Sequence, residues 1–124
     1  MSKTNLQVGI NRQADPKNAS ELEKKHIPVI QAPEVVRAAQ PFEVRIEVGK
    51  ALPHPNEPDH FIEFVELYAD DTYLARVSLT ACTTCPEAVL RVALGRGDFR
   101  ELRAFARCNL HGMWASARPI SVKG

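Results

Sequence analysis

From residue 26 onward, hydrophobic and polar positions alternate over most of the chain, and a period of two predicts strands rather than helices. Phe42, Val44, Ile46 and Val48 alternate with Glu43, Arg45 and Glu47 until Gly49 ends the run, the pattern of a half-buried strand. Phe61 to Tyr68 forms a second run, stopped by Asp70-Asp71. Tyr73, Ala75, Val77 and Leu79 alternate next, and Val89 to Leu94 is ended by Gly95-Arg96-Gly97-Asp98. Leu102 to Ala106 leads toward a cysteine, and Trp114 to Val122 closes the chain. Ile27, Val29 and Pro33 to Val36 make an extended stretch bent at its prolines. About seven short strands with turn signals between them predict an all-β fold, an immunoglobulin-like antiparallel β-sandwich. No amphipathic pattern of three or more helical turns competes for the core.

Residues 1–23 break with this pattern. They are polar and aperiodic, with a turn-rich Asp15-Pro16-Lys17-Asn18-Ala19-Ser20, and they read as an N-terminal extension that crosses another surface or stays mobile. Residues 24–124 then form the sandwich domain. Ser20 followed by Glu23 fits a capping box, which predicts a short helical turn over Glu21 to Lys25.

Composition narrows the class of function. A chain of 124 residues with 44% hydrophobic content supports one globular domain. The net charge of +1, with acids and bases interspersed, argues against nucleic acid as a partner, which calls for a basic stripe. No apolar run approaches the roughly 20 residues that cross a bilayer, so no membrane partner is expected. The opening residues lack a signal-peptide stretch, and the expectation is a cytoplasmic protein. Three cysteines in a reducing compartment point to metal ligation or redox chemistry before a disulfide framework.

The chemistry lies in the loops. All four histidines fall in short non-periodic segments: Lys25-His26-Ile27-Pro28, His54-Pro55-Asn56-Glu57-Pro58-Asp59-His60, and Cys108-Asn109-Leu110-His111-Gly112. Imidazole nitrogens with a thiolate suit iron, copper or zinc. Pro53, Pro55 and Pro58 fix three φ angles around His54 and His60, lowering the entropy cost of presenting both rings to one point. Gly112 accepts a positive φ, which helps Cys108 and His111 converge. A sandwich gathers its loops at its ends, where distant segments meet. Spacing alone leaves two readings open: one metal centre, or turn histidines beside a packing cysteine.

The three segments together resemble the superoxide reductase family, that is, neelaredoxins and the catalytic domain of desulfoferrodoxins. The match runs from about Lys24 to the C-terminus, and the Cys-Asn-x-His-Gly element combined with the His-Pro-x4-His loop is specific to it. The resemblance implies an immunoglobulin-like sandwich holding a mononuclear non-haem iron that cycles between Fe2+ and Fe3+. It makes His26, His54, His60 and His111 the equatorial ligands and Cys108 the axial thiolate, with the sixth position open. It implies one-electron reduction of superoxide to hydrogen peroxide, re-reduction by an electron donor such as rubredoxin, and a homo-oligomer, with a tetramer common among single-iron relatives. Residues 1–23 contain no cysteine, which corresponds to the neelaredoxin-like form. By the same resemblance Lys25, just before His26, is the catalytic lysine that attracts the anion. One departure stands out. The family's glutamate, two residues before the first histidine and a cap on the ferric ion, is Lys24 here; Glu23 lies one residue earlier.

Cys82-Thr83-Thr84-Cys85-Pro86 is outside the resemblance. It reads as two small residues at a strand end, as a dithiol that cycles with a disulfide, or as half of a zinc site lacking its second pair. Two rival functions complete the field. A cupredoxin-like electron carrier would use Cys108, His111, Met113 and one further histidine, leaving two unexplained. An interaction sandwich would leave Cys108 free.

Overall fold

The computed structural model describes residues 5–15 and 17–124; of the predicted N-terminal extension, residues 1–4 and Pro16 lie outside the described residues. The elements are β1 (Ile10–Asn11), α1 (Glu21–His26), β2 (Pro28–Gln31), β3 (Val35–Arg37), β4 (Phe42–Val48), β5 (Ile62–Ala69), β6 (Thr72–Ser78), β7 (Glu87–Val92), β8 (Glu101–Cys108), β9 (Gly112–Pro119) and β10 (Ser121–Lys123). A five-stranded sheet runs in the order β1-β9-β8-β5-β6, a three-stranded sheet in the order β2-β4-β7, and β3 pairs with β10. The two larger sheets share one core, in which Val44, Ile46, Leu67, Leu102 and Ala104 are fully buried. This is the predicted immunoglobulin-like sandwich.

Alternation does more than build the core. Along β8 the buried side chains are Leu102, Ala104, Ala106 and Cys108, so the period that points apolar residues inward also carries the thiol inward at the strand's end. The register then pairs Cys108 with Gly112 on β9 and with Ile62 on β5.

Among the described residues ten strands replace the expected seven or so because β1, β3 and β10 have only two or three residues each, too few for a period to show. Two of the pairings are parallel, β1 with Met113–Trp114 and β10 with β3. The run read as one strand from Trp114 to Val122 divides after Pro119, where the chain leaves β8 and takes up β3 as its partner. The predicted helical turn is α1, with both halves of the capping box formed. Asn11 anchors the N-terminal segment by donating from Nδ2 to the Leu6 and Met113 carbonyls, each at 2.9 Å. Among the described residues no helix is long and apolar enough to cross a membrane.

Candidate metal centre

His26 ends α1. The following residue, Ile27, is extended because Pro28 disfavours helical geometry before it. The His26 ring folds back one turn and places Nδ1 2.7 Å from the Leu22 carbonyl. A carbonyl only accepts, so Nδ1 carries the proton and Nε2 keeps its lone pair. His54 repeats the arrangement, with Nδ1 2.6 Å from the Pro55 carbonyl. The two Nε2 atoms then face each other at 3.2 Å. Two lone pairs with no proton between them repel, and a cation shared by both removes the repulsion. Backbone carbonyls holding the remote ring nitrogen are the usual outer support of a metal-ligating imidazole.

His60 and His111 complete the set. A tight turn with backbone hydrogen bonds of 2.9 and 3.2 Å between Glu57 and His60 fixes the first. Its Nε2 is buried without a hydrogen-bond partner among the described residues, a costly state for a polar atom. His111 lies in the β8–β9 turn with Nδ1 3.7 Å from the Cys108 sulfur. The four rings form a closed circuit: centroids are 4.7 Å apart for His26–His54, 4.8 Å for His54–His60, 5.1 Å for His60–His111 and 4.9 Å for His26–His111, all edge to face. The donor atoms of His26, His60, Cys108 and His111 lie within 4.8 Å of one another. Opposed donors on one ion, at about 2.0–2.3 Å each, stand roughly 4–4.6 Å apart. The unpartnered Nε2 and the facing Nε2 pair therefore fit a single cation.

Burial drives the electrostatics. It pushes the His26 and His54 pKa values down to about 4 against the pull of the Leu22 and Pro55 carbonyls, and the neighbouring imidazoles add to the depression. Burial lowers His111 too, followed by His60 and the Lys25 charge. Burial raises the Cys108 thiol, against the backbone N–H groups of Leu110 and His111. At neutral pH His26 and His54 are neutral and free to ligate, and a cation bound at Cys108 would displace the thiol proton.

A pH dependence follows for the metal-free chain. Between about pH 6.5 and pH 4 the unfolded histidines hold protons that buried His26 and His54 refuse, so stability rises with pH across that window. Scanning calorimetry of metal-free protein should give a melting temperature that falls steadily from pH 7 to pH 4.5. A flat profile would mean that the two rings are not held neutral.

Lys25 is half-buried on α1, and its charge reaches both His26 and His111. Lys24 is exposed. Glu23 is committed elsewhere: Oε1 accepts from the Ser20 N–H at 2.8 Å and Oε2 from the Ala14 N–H at 2.7 Å, so it does not stand in for the family glutamate. Cys82 and Cys85 are exposed and outside the circuit.

Three positioning residues had no sequence-based role. Asn109 accepts from the Phe61 N–H and donates to the Asp59 carbonyl, both at 2.9 Å, which ties the Cys108–His111 turn to the His60 loop. Trp114 stacks on His26 at 4.9 Å and donates from Nε1 to the His111 carbonyl at 2.9 Å. Asn56 hydrogen-bonds the Cys82–Thr84 turn. A short amide between candidate ligands was the available signal for the two asparagines; their partners are backbone groups distant in sequence.

Residues 18–117 match the desulfoferrodoxin family model. A relative from Methanocaldococcus jannaschii is 44% identical over 117 residues, covering 93% of this chain and 96% of the relative. A superoxide reductase from Pyrococcus horikoshii is 35% identical over 100 residues, covering 73% and 83%. Among solved structures, the superoxide reductase (neelaredoxin) from Ignicoccus hospitalis superposes with a TM-score of 0.78 at 34% identity, covering 92% of this chain and 95% of that one.

Proposed function

The chain belongs to the desulfoferrodoxin family and is a superoxide reductase, and we propose that it works through one mononuclear iron ion held by the imidazoles of His26, His54, His60 and His111 and the thiolate of Cys108. The observation that carries this reading is the closed circuit of four imidazoles beside a fully buried sulfur. Bound there, iron cycling between its ferrous and ferric states would supply the one electron that, with two protons, turns superoxide into hydrogen peroxide.

The side chains prepare that reaction in three ways. Four neutral imidazoles and a single thiolate leave the ion with net positive charge, so the site draws an anion. Cys108 is sealed in the core, which leaves approach over the partly exposed His60 and His111 rings. Lys25 adds a cation felt at His111 and raises the local concentration of superoxide. Re-reduction falls to an external one-electron donor, for which a rubredoxin-type protein is the expected example. The blue-copper alternative is not favoured, because it leaves two of the four gathered imidazoles without a task.

Elemental analysis of purified protein should find about one iron per chain; copper with an intense thiolate band would replace this reading with the blue-copper one. Lys25→Ala should keep the iron and slow superoxide capture several-fold at low ionic strength, with a weaker salt dependence than the parent. An unchanged second-order rate at low salt would remove Lys25 from the mechanism.

A further inference from the structure

The proposed reaction leaves Cys82 and Cys85 unused, yet the fold does not treat their turn as an idle connection. Both thiols are free and exposed between β6 and β7. The turn is built tightly: the N–H groups of Thr83 and Thr84 both donate to the Thr80 carbonyl, and Thr80 N–H donates to Thr84 Oγ1. Cys82 itself has φ +69°, a left-handed conformation that side-chain-bearing residues adopt rarely and at a cost.

One side chain holds this turn to the metal centre. Asn56 Oδ1 accepts from the Cys82 N–H at 2.7 Å, and its Nδ2 donates to the Thr84 carbonyl at 3.1 Å. Pro55, directly before Asn56, supplies the carbonyl that orients His54. Glu57, directly after it, makes both backbone hydrogen bonds to His60. Asn56 therefore joins the cysteine turn to the backbone that positions two of the four imidazoles.

We propose that Cys82 and Cys85 are a peroxide-responsive dithiol, closed to a disulfide by hydrogen peroxide released at the neighbouring centre and read by the His54–His60 loop through Asn56. The source of the oxidant rests on the proposed superoxide reduction. The chemistry balances in two displacements. One thiolate attacks a peroxide oxygen; the S–O bond forms, the O–O bond breaks, and hydroxide leaves to become water. The second thiolate attacks the resulting sulfenic sulfur; the S–S bond forms, the S–O bond breaks, and a second water leaves. Two sulfurs are oxidised, one peroxide is reduced, and a dithiol reductant restores the pair. Closure acts on Asn56 because the Cys82 N–H and the Thr84 carbonyl both belong to the residues that the disulfide ring constrains. Resetting the backbone angles there shifts both of its contacts.

The test uses the full iron-loaded chain in its ferric state, with thiols first reduced and the reductant removed. It is treated with equimolar to tenfold hydrogen peroxide, alkylated and digested without reduction. The expected result is a linked Cys82–Cys85 peptide, reversed by dithiothreitol. The disulfide form should show a shifted visible spectrum and a rate of superoxide reduction lower by about twofold or more. Cys82→Ser should keep its iron and starting rate and lose the response to peroxide. Asn56→Ala should still form the disulfide while its spectrum and rate no longer follow it. Two free, alkylated thiols after tenfold peroxide would overturn the proposal, as would a disulfide that leaves spectrum and rate untouched. Because the peroxide is added, the thiol result does not depend on the enzyme's turnover. A chain that closes the disulfide but reduces no superoxide would instead refute the proposed function, and with it the chain's own product as the oxidant.

Discussion

Cys108→Ser should lower superoxide reduction by about a hundredfold or more and abolish the thiolate-to-iron absorption of the oxidised protein. The position is fully buried at the inward end of β8, so serine fits the space with little repacking. What changes is the charge. Burial already holds the thiol above its ordinary pKa, and in the proposed centre two N–H groups together with the bound cation would keep the thiolate. A hydroxyl is a far weaker acid and stays protonated in the same setting, so the ring of imidazoles loses its anionic partner. Visible spectroscopy, iron content and a stopped-flow rate should move together. A variant that keeps both the band and the rate would place this sulfur outside the centre.

The largest expected effect on stability belongs to Gly112→Ala. Gly112 has φ +79°, and a Cβ there would stand 2.0 Å from the Leu6 carbonyl oxygen and 2.8 Å from its carbon. The left-handed conformation alone costs about 1–2 kcal/mol for a residue with a Cβ. The clash is with backbone, so the N-terminal segment must move, taking with it the Asn11 hydrogen bonds to Leu6 and Met113. Overpacking of this kind adds roughly 1–3 kcal/mol. A fall in melting temperature on the order of 10 °C is expected, measured on metal-free protein. Deleting residues 1–9 removes the obstacle, so the same substitution in the shortened chain should cost only the conformational part. Equal losses in both backgrounds would show that the Leu6 contact carries no weight.

The sequence made some of these features plain and hid others for physical reasons. β4 matches its predicted range because one face is buried and the other exposed, which is the condition that imprints a period of two. α1 was legible from Ser20 and Glu23 because a capping box is a contact between near neighbours. The pairs of β1 with β9 and β3 with β10 were not, since each joins only a few residues that lie far apart in the chain. The site divides along the same line. Histidine and cysteine announce their chemistry by type, so the sequence puts His26, His54, His60, Cys108 and His111 forward as candidates, and the fold brings them together. Asn56 and Asn109 act on carbonyls and N–H groups about 25 to 50 positions away, and nothing in their immediate sequence states those partners. The commitment of Glu23 to Ala14 was hidden in the same way.

The indole of Trp114, the sole tryptophan, lies nearly parallel to His26, with 22° between the planes. Its emission therefore comes from one place in the molecule, stacked on a ring that would change electronic character on ligation in the proposed centre. In the proposed centre the indole would act as a built-in optical gauge of metal occupancy, and fluorescence should follow loading and release in real time without an added dye.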